Sequence, residues 1–188
     1  MRAGQERYLY LPPFFTSKDE ELIAPYLEQF DGIYCEGSYG IRLAEKYHKK
    51  LFAGTGFNLT NRYAVAEAEK AADYFVLSKE ISLREAESLS AQNAFYLAGG
   101  GIKVMDLVYC PFLKDCKNCD RRKRYSLTDE EGRAFPLRRY VLTGACRFEV
   151  YNCARLEADM CPKNALYDNT LPTDKMPSTK GRTDRSMQ

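Results

Sequence analysis

The chain has 188 residues, enough for one ordinary domain or for one domain with a small appendage. Its composition, 45% apolar and 29% charged, is that of a globular protein, and no apolar run approaches the roughly 20 residues that a bilayer-spanning helix requires. These features exclude a membrane span, and an N-terminus without a signal-peptide cleavage site predicts a soluble protein of the cytoplasm.

Charge is unevenly distributed along the chain. The net charge is only +2, but residues 114–155 hold eleven Lys and Arg against six Asp and Glu, a local excess of +5. The rest of the chain is about neutral or slightly acidic, so the positive charge is concentrated in one segment.

From Tyr8 to about Gly99, short apolar runs alternate with segments of helical periodicity, a pattern typical of βα units and a parallel sheet. In the first helix we expect Ser17 to be the N-cap, because Glu20 follows three residues later. The predicted strands are Tyr8–Pro12, Gly32–Cys35, Leu51–Ala53, Tyr74–Leu77 and Phe95–Leu97. The predicted helices are Ser17–Phe30, Tyr39–His48, a third from an Asn61 cap to about Asp73, and Ser78–Gln92.

The pattern changes after this region. Three consecutive glycines, 99–101, are predicted to break the chain, and a cysteine-rich loop follows at 110–119. Tyr125–Leu127 and Ala134–Arg139 flank a polar turn and predict a hairpin, and Arg147–Tyr151 predicts a further strand.

We therefore predict an α/β fold: a partial (β/α) TIM-barrel-like half over residues 1–99, a small cysteine-rich β-hairpin module over 100–167, and a disordered tail over 168–188. Four βα units are half of an eight-unit barrel, and an open parallel sheet leaves unprotected edges. We expect a second barrel half or a partner subunit to complete it.

Seven cysteines are an odd number, which a complete secreted disulfide framework would not give, so metal binding is the leading use of these thiols. Cys110, Cys116 and Cys119 lie in one loop, and Cys146 follows 27 residues after Cys119. Four soft thiolates suit tetrahedral Zn²⁺ or an iron–sulfur cluster.

Two alternatives remain open for these cysteines. Cys153 or Cys161 can replace one of the four ligands, although a role in the core suits Cys153 equally well. In the other alternative, Cys110 and Cys146 are small buried hydrophobic residues and the cysteines at 116 and 119 form a redox pair.

A cationic run follows the cysteine loop, and its Arg121, Arg122 and Arg124 are candidate substrate-binding residues. Together with Arg147, the run would lower the pKa of the thiols and offset the negative charge of a four-thiolate site. With Tyr125 and the stretch Arg138–Tyr140 it would also suit RNA, since cations hold the backbone and aromatic rings stack on bases. The alternative is a solvated basic face.

A second group of candidates lies at the carboxyl ends of the predicted strands. Asn58, Ser78 and Glu80 are candidate substrate-binding residues there, beside the Cys35–Glu36 pair, because parallel α/β sheets gather their functional groups at this edge. In the alternative interpretation these residues only cap and begin helices.

Several short motifs occur in an order and spacing that resemble the C-terminal portion of U32-type peptidase proteins, over about residues 8–157. They are Asn58-Leu59-Thr60-Asn61, Leu77-Ser78-Lys79-Glu80-Ile81, Tyr109-Cys110-Pro111, Leu127-Thr128-Asp129 to Phe135-Pro136-Leu137, and Tyr151-Asn152. The resemblance implies a partial (β/α) barrel followed by a cysteine-bearing β module. The family includes collagenase-like proteases and proteins needed for hydroxylation of tRNA or ribosomal RNA, and some members carry iron–sulfur clusters. The N-terminal barrel portion of the family, with its better-known cysteines, is not recognisable in this chain.

Three functional hypotheses follow. The first is a U32-like protein that supports RNA hydroxylation and binds an iron–sulfur cluster or Zn²⁺ through its cysteines. The second is a peptidase, although no nucleophile–base pair and no zinc-protease motif is recognisable. The third is a non-catalytic module that is folded by structural zinc.

Overall fold

The chain is described by a computed structural model, which covers residues 4–89, 91–112, 124–157, 164–171 and 178–180. It divides into two compact units. Of the described residues, the first unit comprises 4–89, 91–97 and 164–166, and the second comprises 98–112, 124–157, 167–171 and 178–180.

The first unit is built on a curled parallel sheet, a half barrel, with strand order β1-β2-β3-β4-β5. Its strands are β1 (Tyr8–Leu11), β2 (Gly32–Cys35), β3 (Lys50–Ala53), β4 (Tyr74–Val76) and β5 (Ala94–Gly100), the last of which continues into the second unit. Its helices are α1 (Ser17–Ile23), α2 (Tyr39–Tyr47), α3 (Arg62–Ala71) and α4 (Leu83–Ser88). The predicted fold class, a TIM-barrel-like (β/α) half with a small β appendage, is confirmed.

The second unit contains an antiparallel sheet in the order β6-β9-β8-β7. Its strands are β6 (Lys103–Leu107), β7 (Tyr125–Thr128), β8 (Ala134–Leu142) and β9 (Ala145–Tyr151). The short strands that follow are β10 (Arg155–Glu157), β11 (Ala165–Asp168) and β12 (Ser178–Lys180). The predicted hairpin is confirmed as β7 and β8, which pair antiparallel from Tyr125↔Leu137 to Thr128↔Ala134.

One face of the parallel sheet carries the main core. Alternate strand residues on this face pack against the helices, and those from β1, β2 and β3 are almost fully buried. The buried core residues supplied by the strands are Leu11, Ile33, Cys35, Leu51, Ala53 and Phe75. Helix residues such as Leu43 and Val65 complete this layer.

The opposite face of the same sheet is aromatic. Every neighbouring pair of its rings lies with centroids 4.9–6.3 Å apart. The six rings, all half-buried, are Tyr8, Tyr10, Tyr34, Phe52, Tyr74 and Phe95. Two of the rings occupy space that glycines leave open: a Cβ on Gly32 would meet the Tyr8 ring at 2.3 Å, and one on Gly54 would meet the Tyr34 ring at 2.7 Å.

The first helix differs from the prediction in its cap and in its length. Thr16, not Ser17, is the N-cap: its side chain accepts from the backbone N–H of Asp19, and the Asp19 carboxylate accepts from the Thr16 backbone N–H in a reciprocal capping box. The α-helix ends at Ile23 and a 3₁₀ helix covers Ala24–Gln29, since Pro25 lacks the N–H that an α-helix would use.

The fourth helix is also shorter than predicted. It begins at Leu83 with Ser82 as the N-cap, whose hydroxyl accepts from the backbone N–H of Glu85. Ser78 therefore precedes the helix and does not cap it. The Asn61 cap of α3 is confirmed, because its side chain accepts from the backbone N–H groups of Tyr63 and Ala64.

The glycine triplet does not break the chain as predicted, because Gly99 and Gly100 belong to β5. A Cβ on Gly100 would lie 1.9 Å from the carbonyl oxygen of Asp168, and one on Gly99 would meet the Tyr167 ring at 2.8 Å. The glycines therefore allow β11 to approach the backbone of β5 closely.

Most of the predicted tail, 168–188, lies outside the described residues. Within it the structure describes residues 168–171 and the strand β12, which pairs in parallel with β10 from Arg155↔Ser178 to Glu157↔Lys180.

Candidate metal centre and neighbouring polar groups

The two faces of the small antiparallel sheet differ in chemistry. Its apolar face carries a small core whose buried members are Leu137, Phe148 and Val150. Half-buried side chains pack around this core, namely Leu107, Cys110, Phe112, Tyr125, Leu127, Phe135 and Cys146. Cys110 and Cys146, two of the predicted ligands, thus belong to one cluster.

Strand register explains why these two thiols meet the same core. β6 runs antiparallel to β9 with Leu107 opposite Phe148. The chain reaches Cys110 three residues after Leu107, at the end of the sheet where β9 begins. Cys146 is the second residue of β9, so both cysteines lie at this end of the sheet. Both cysteines are half-buried and neither forms a disulfide.

The ends of the cysteine-rich loop are held together by two aromatic rings. Phe112 and Tyr125 stack with centroids 4.5 Å apart, and both rings contact Phe148 edge-on at 5.7 and 5.9 Å. The segment between these rings carries Cys116 and Cys119, which lie outside the described residues. It therefore leaves and rejoins the cluster that contains the other two candidate ligands.

Only two of the four predicted thiolate ligands, Cys110 and Cys146, belong to the described residues. Within the described ranges, no three side chains of His, Cys, Asp or Glu come together as a metal-binding group. Cys110 and Cys146 supply two reduced thiols at one end of the sheet, so the remaining two ligands would have to come from the loop that Phe112 and Tyr125 close. Zn²⁺ and iron–sulfur clusters both take four such ligands.

The cation next to Cys146 is Arg139, which the sequence analysis assigned to the RNA-binding stretch Arg138–Tyr140 and not to the thiolates. Arg139 directs its Nη1 to the Cys146 Sγ at 3.7 Å. Of the predicted cations, Arg124 is exposed, whereas Arg121 and Arg122 lie outside the described residues. Arg147 alternates with Cys146 along β9 and is buried.

The opposite face of the small sheet carries a row of ionisable side chains. Glu149 is fully buried, forms an ion pair with Arg138 in which Nε lies 3.3 Å from Oε2, and accepts from the Tyr151 hydroxyl at 3.2 Å. Asp106 lies directly across from Glu149 in the neighbouring strand. Sequence reasoning missed this row, although the alternation of Arg147, Glu149 and Tyr151 along β9 is its signal.

The pKa of a tyrosine is shifted by its place in this row. Burial, together with the nearby carboxylates of Asp106 and Glu149, raises the pKa of Tyr140 to about 12, against the opposing effect of the Arg147 guanidinium. Tyr140 therefore keeps its proton at neutral pH.

Part of the predicted RNA-binding surface is engaged inside the second unit. Arg138 pairs with the buried Glu149, the Tyr140 hydroxyl is buried, and Tyr125 stacks on Phe112. Arg138 and Tyr125 are therefore held by contacts within the protein, whereas the Tyr140 hydroxyl is buried without a hydrogen-bond partner among the described residues. The run Arg121–Arg124 is left as the predicted contact with a nucleic acid.

At the carboxyl edge of the parallel sheet the structure brings Asn58 and Ser78 together. The Ser78 hydroxyl donates to Asn58 Oδ1 at 2.6 Å and accepts from the Glu80 backbone N–H at 3.2 Å. Ser78 is 1% exposed, whereas the side chains of Asn58 and Glu80 are exposed. These contacts fit a local structural role, because the Ser78 hydroxyl joins two loops.

Glu36 organises the neighbouring loop at the same edge. Its Oε2 accepts from the Gly56 backbone N–H at 2.7 Å and from the Thr55 hydroxyl at 3.4 Å, and the residue is 7% exposed. A Cβ on Gly56 would lie 2.1 Å from the Glu36 carbonyl oxygen, so the loop closes tightly around this carboxylate.

The other described cysteines have separate surroundings. Cys35 is buried, its thiol donates to the Gly37 carbonyl at 3.2 Å, and burial raises its pKa. Cys153 is half-buried beside the Asn152 side chain, with Sγ 3.5 Å from Oδ1. Cys161, the other alternative ligand, lies outside the described residues.

Comparisons with protein-family models, with curated proteins and with solved structures find no match for this chain. In the part of the chain that the structure describes, none of the helices is long and apolar enough to cross a membrane.

Proposed function

We propose that this chain is a cytoplasmic U32-type protein that binds an iron–sulfur cluster or Zn²⁺ through Cys110, Cys116, Cys119 and Cys146 and supports hydroxylation of tRNA or ribosomal RNA. The motifs that resemble the U32 family supply the family and the RNA reaction. The metal part of the proposal has additional support from the geometry of the second unit.

One observation carries the metal proposal. Cys110 and Cys146 pack against the same three-residue core, and the rings of Phe112 and Tyr125 join the ends of the loop that bears the other two cysteines. A loop that starts and ends beside two half-buried thiols keeps its own thiols within reach of them. An iron–sulfur cluster there would supply electron transfer, and Zn²⁺ would supply a closed structural or Lewis-acid site.

The metal proposal is tested by anaerobic purification followed by metal analysis, sulfide analysis and an absorbance spectrum. We expect about one metal site per chain, brown if it is an iron–sulfur cluster and colourless if it is Zn²⁺. Cys110→Ser and Cys146→Ser should each lose most of the metal, since a hydroxyl is a poor ligand for these soft metals. Wild-type protein that is free of metal after anaerobic purification would contradict the proposal.

Cys153→Ser is the matched control, because Cys153 is also half-buried and reduced but is not part of the cluster around Phe148. It should retain the metal. If Cys153→Ser loses the metal while Cys110→Ser or Cys146→Ser retains it, Cys153 is a ligand in place of the cysteine whose substitution has no effect.

The RNA part of the proposal has its own readout. Bulk tRNA is titrated at two salt concentrations against the metal-loaded protein and against a variant with Arg121, Arg122 and Arg124 changed to Gln. We expect weaker binding and a shallower salt dependence for the variant, because phosphate contacts release counterions. Equal binding by the two proteins would count against this surface.

A structural zinc module is the second candidate, and the size of the small core favours it. In the described part of the second unit, the buried members of that cluster are Leu137, Phe148 and Val150. So small a core gains little from burial, and a metal would then contribute much of the folding energy. Chelation should in that case abolish the near-ultraviolet dichroism of the module, whereas a cluster used in catalysis would leave it folded.

We also propose that a second barrel half, from a partner polypeptide, completes the parallel sheet of the first unit. Two observations support it: the ring face around Phe52 is half-buried, and β1 ends the sheet without a further described strand on its outer side. Parallel sheets are ordinarily covered on both faces. At the other end, β5 is already joined by β10 and β11.

A further inference from the structure

Glu36 is a buried carboxylate to which the described residues bring no cation. A buried glutamate is ordinarily paired, because a charge that leaves water loses hydration free energy. The two other buried glutamates of the described ranges follow this rule: Glu20 pairs with two cations of α2, and Glu149 pairs with Arg138. The negative charge of Glu36 is therefore open to a cationic ligand.

Glu36 lies at the carboxyl end of the aromatic face. The hydrogen bonds between the parallel strands continue past β2: the Glu36 N–H donates to the Leu11 carbonyl at 3.3 Å, and the Gly54 N–H donates to the Cys35 carbonyl at 2.7 Å. Because side chains alternate along a strand, Glu36 lies on the same side of the sheet as Tyr34, two residues earlier. In (β/α) folds ligands bind at this end of the strands.

One oxygen of this carboxylate lies beside an aromatic ring. Oε2 takes both of the hydrogen bonds that described residues donate to the Glu36 side chain, and Oε1 takes neither. Oε1 and the Tyr34 ring both border Gly54, since a Cβ there would lie 2.8 Å from Oε1 and 2.7 Å from the ring. An anionic oxygen and an aromatic ring together suit an organic cation, which the first binds by a charge-assisted hydrogen bond and the second by cation–π attraction.

We propose that Glu36 and the Tyr34 ring form a binding site for a small organic cation with an ammonium group. Glu36 Oε1 accepts a hydrogen bond from the ammonium, and the rings of Tyr34 and Tyr10, which stack at 5.8 Å, contact the apolar part of the ligand. One available carboxylate oxygen suits an ammonium better than the two-pronged guanidinium. Glu36 is only 7% exposed, so a small molecule reaches it and a broad protein surface does not. The site lies in the first unit and does not depend on the proposed metal.

The test uses benzylammonium as the probe and benzyl alcohol as its uncharged analogue of similar shape. Each is titrated into the full wild-type chain, and the amide signals of Gly54 and Gly56, which flank the Glu36 side chain, are followed by NMR. We expect benzylammonium to shift both signals and to bind roughly 10- to 100-fold more tightly than benzyl alcohol, the usual effect of a hydrogen bond to a charged group. Equal affinity for the two probes, or unchanged glycine signals, would overturn the proposal.

Glu36→Gln separates the charge of this side chain from its role in the loop. Glutamine keeps an oxygen that accepts from the Gly56 N–H, so the variant should fold, whereas its affinity for benzylammonium should fall to that for benzyl alcohol. Glu45→Gln, which removes an exposed carboxylate from α2, should bind both probes as wild type does. The inference is wrong if Glu36→Gln binds benzylammonium as tightly as wild type, or if Glu45→Gln weakens binding equally. If Glu36→Gln does not fold, the comparison of the two probes on wild type decides.

Discussion

At the scale of single residues, Glu20 has the most strongly perturbed carboxylate of the first unit for which a shift is resolved. It accepts from Lys46 Nζ at 2.6 Å, from Arg42 Nη2 at 2.8 Å and from the Tyr47 hydroxyl at 3.1 Å. These hydrogen bonds, with that of Lys46 the largest, lower the pKa of Glu20 to about 2. The carboxylate thereby ties α1 to α2.

Glu20→Gln should lower the free energy of unfolding at pH 7 by about 1 kcal/mol, a value reduced for solvent screening because the Arg42 and Lys46 side chains are 60% and 54% exposed. The folded pKa of Glu20 is depressed, so its contribution is present above the usual value of 4.5 and is lost as pH falls towards about 2. Urea unfolding at pH 7 and at pH 2 to 3 measures both effects.

The control for this prediction is Glu45→Gln, which removes an exposed carboxylate from α2. It should change stability by less than about 0.5 kcal/mol at either pH. A difference between wild type and Glu20→Gln that did not shrink in acid would contradict the linkage argument.

At the scale of elements, the start of α1 offers two adjacent hydroxyls with different roles. Thr16→Ala removes the capping box with Asp19 and should lower the free energy of unfolding by about 1 kcal/mol. Ser17→Ala removes an exposed hydroxyl inside the helix and should be neutral or slightly stabilising, because alanine is the better helix former. Thermal unfolding of the two variants measures both effects. If Ser17→Ala were the more destabilising of the two, Ser17 and not Thr16 would be the N-cap.

The strands of the parallel sheet were predictable because each is a short apolar run between helical segments, as Gly32–Cys35 illustrates. Prediction from the local sequence failed where a backbone segment distant in sequence determines the conformation. A run of glycines predicts that a strand ends, yet Gly99 and Gly100 lie in β5 because β11 packs closely against them. Strand β6 was not predicted, since Val104 and Met105 are both exposed and the strand lacks a clean alternation.

The candidate site was predictable only in part, for a similar reason. Cysteine spacing identified Cys110 and Cys146, which the structure places in one cluster. The Arg139 contact depends on the register between β8 and β9, which a single sequence does not specify. The same register sets Arg138 opposite Glu149 and so removes it from the predicted RNA surface.

At the scale of the whole molecule, the aromatic face of the half barrel is testable without knowing its partner. Phe52 lies at its centre, with ring centroids of Tyr34, Tyr74 and Phe95 within 5.6 Å. We expect the folded chain alone to bind a polarity-sensitive dye saturably, and Phe52→Ser to reduce that binding several-fold, because exposed apolar patches adsorb such dyes.

Tyr63→Ser is the matched control for the aromatic face, since Tyr63 is 71% exposed on α3 and lies apart from these rings. Dye binding by this variant should equal that of wild type. Far-ultraviolet dichroism confirms that each variant is folded, and Tyr10→Ser serves as a second variant if Phe52→Ser is not. A folded wild-type chain that bound no dye would contradict an accessible aromatic face.

The outer side of β1 affects how much of the protein persists in a cell. The described residues place no strand on the outer side of β1, and such an edge, next to an aromatic face, is a template on which other chains can add. Copies in which this edge stays uncovered would therefore be recognised by chaperones and proteases or lost to aggregates. If the proposed second barrel half is a partner polypeptide, the steady-state amount of this chain should follow the synthesis of that polypeptide, because the uncovered excess is degraded.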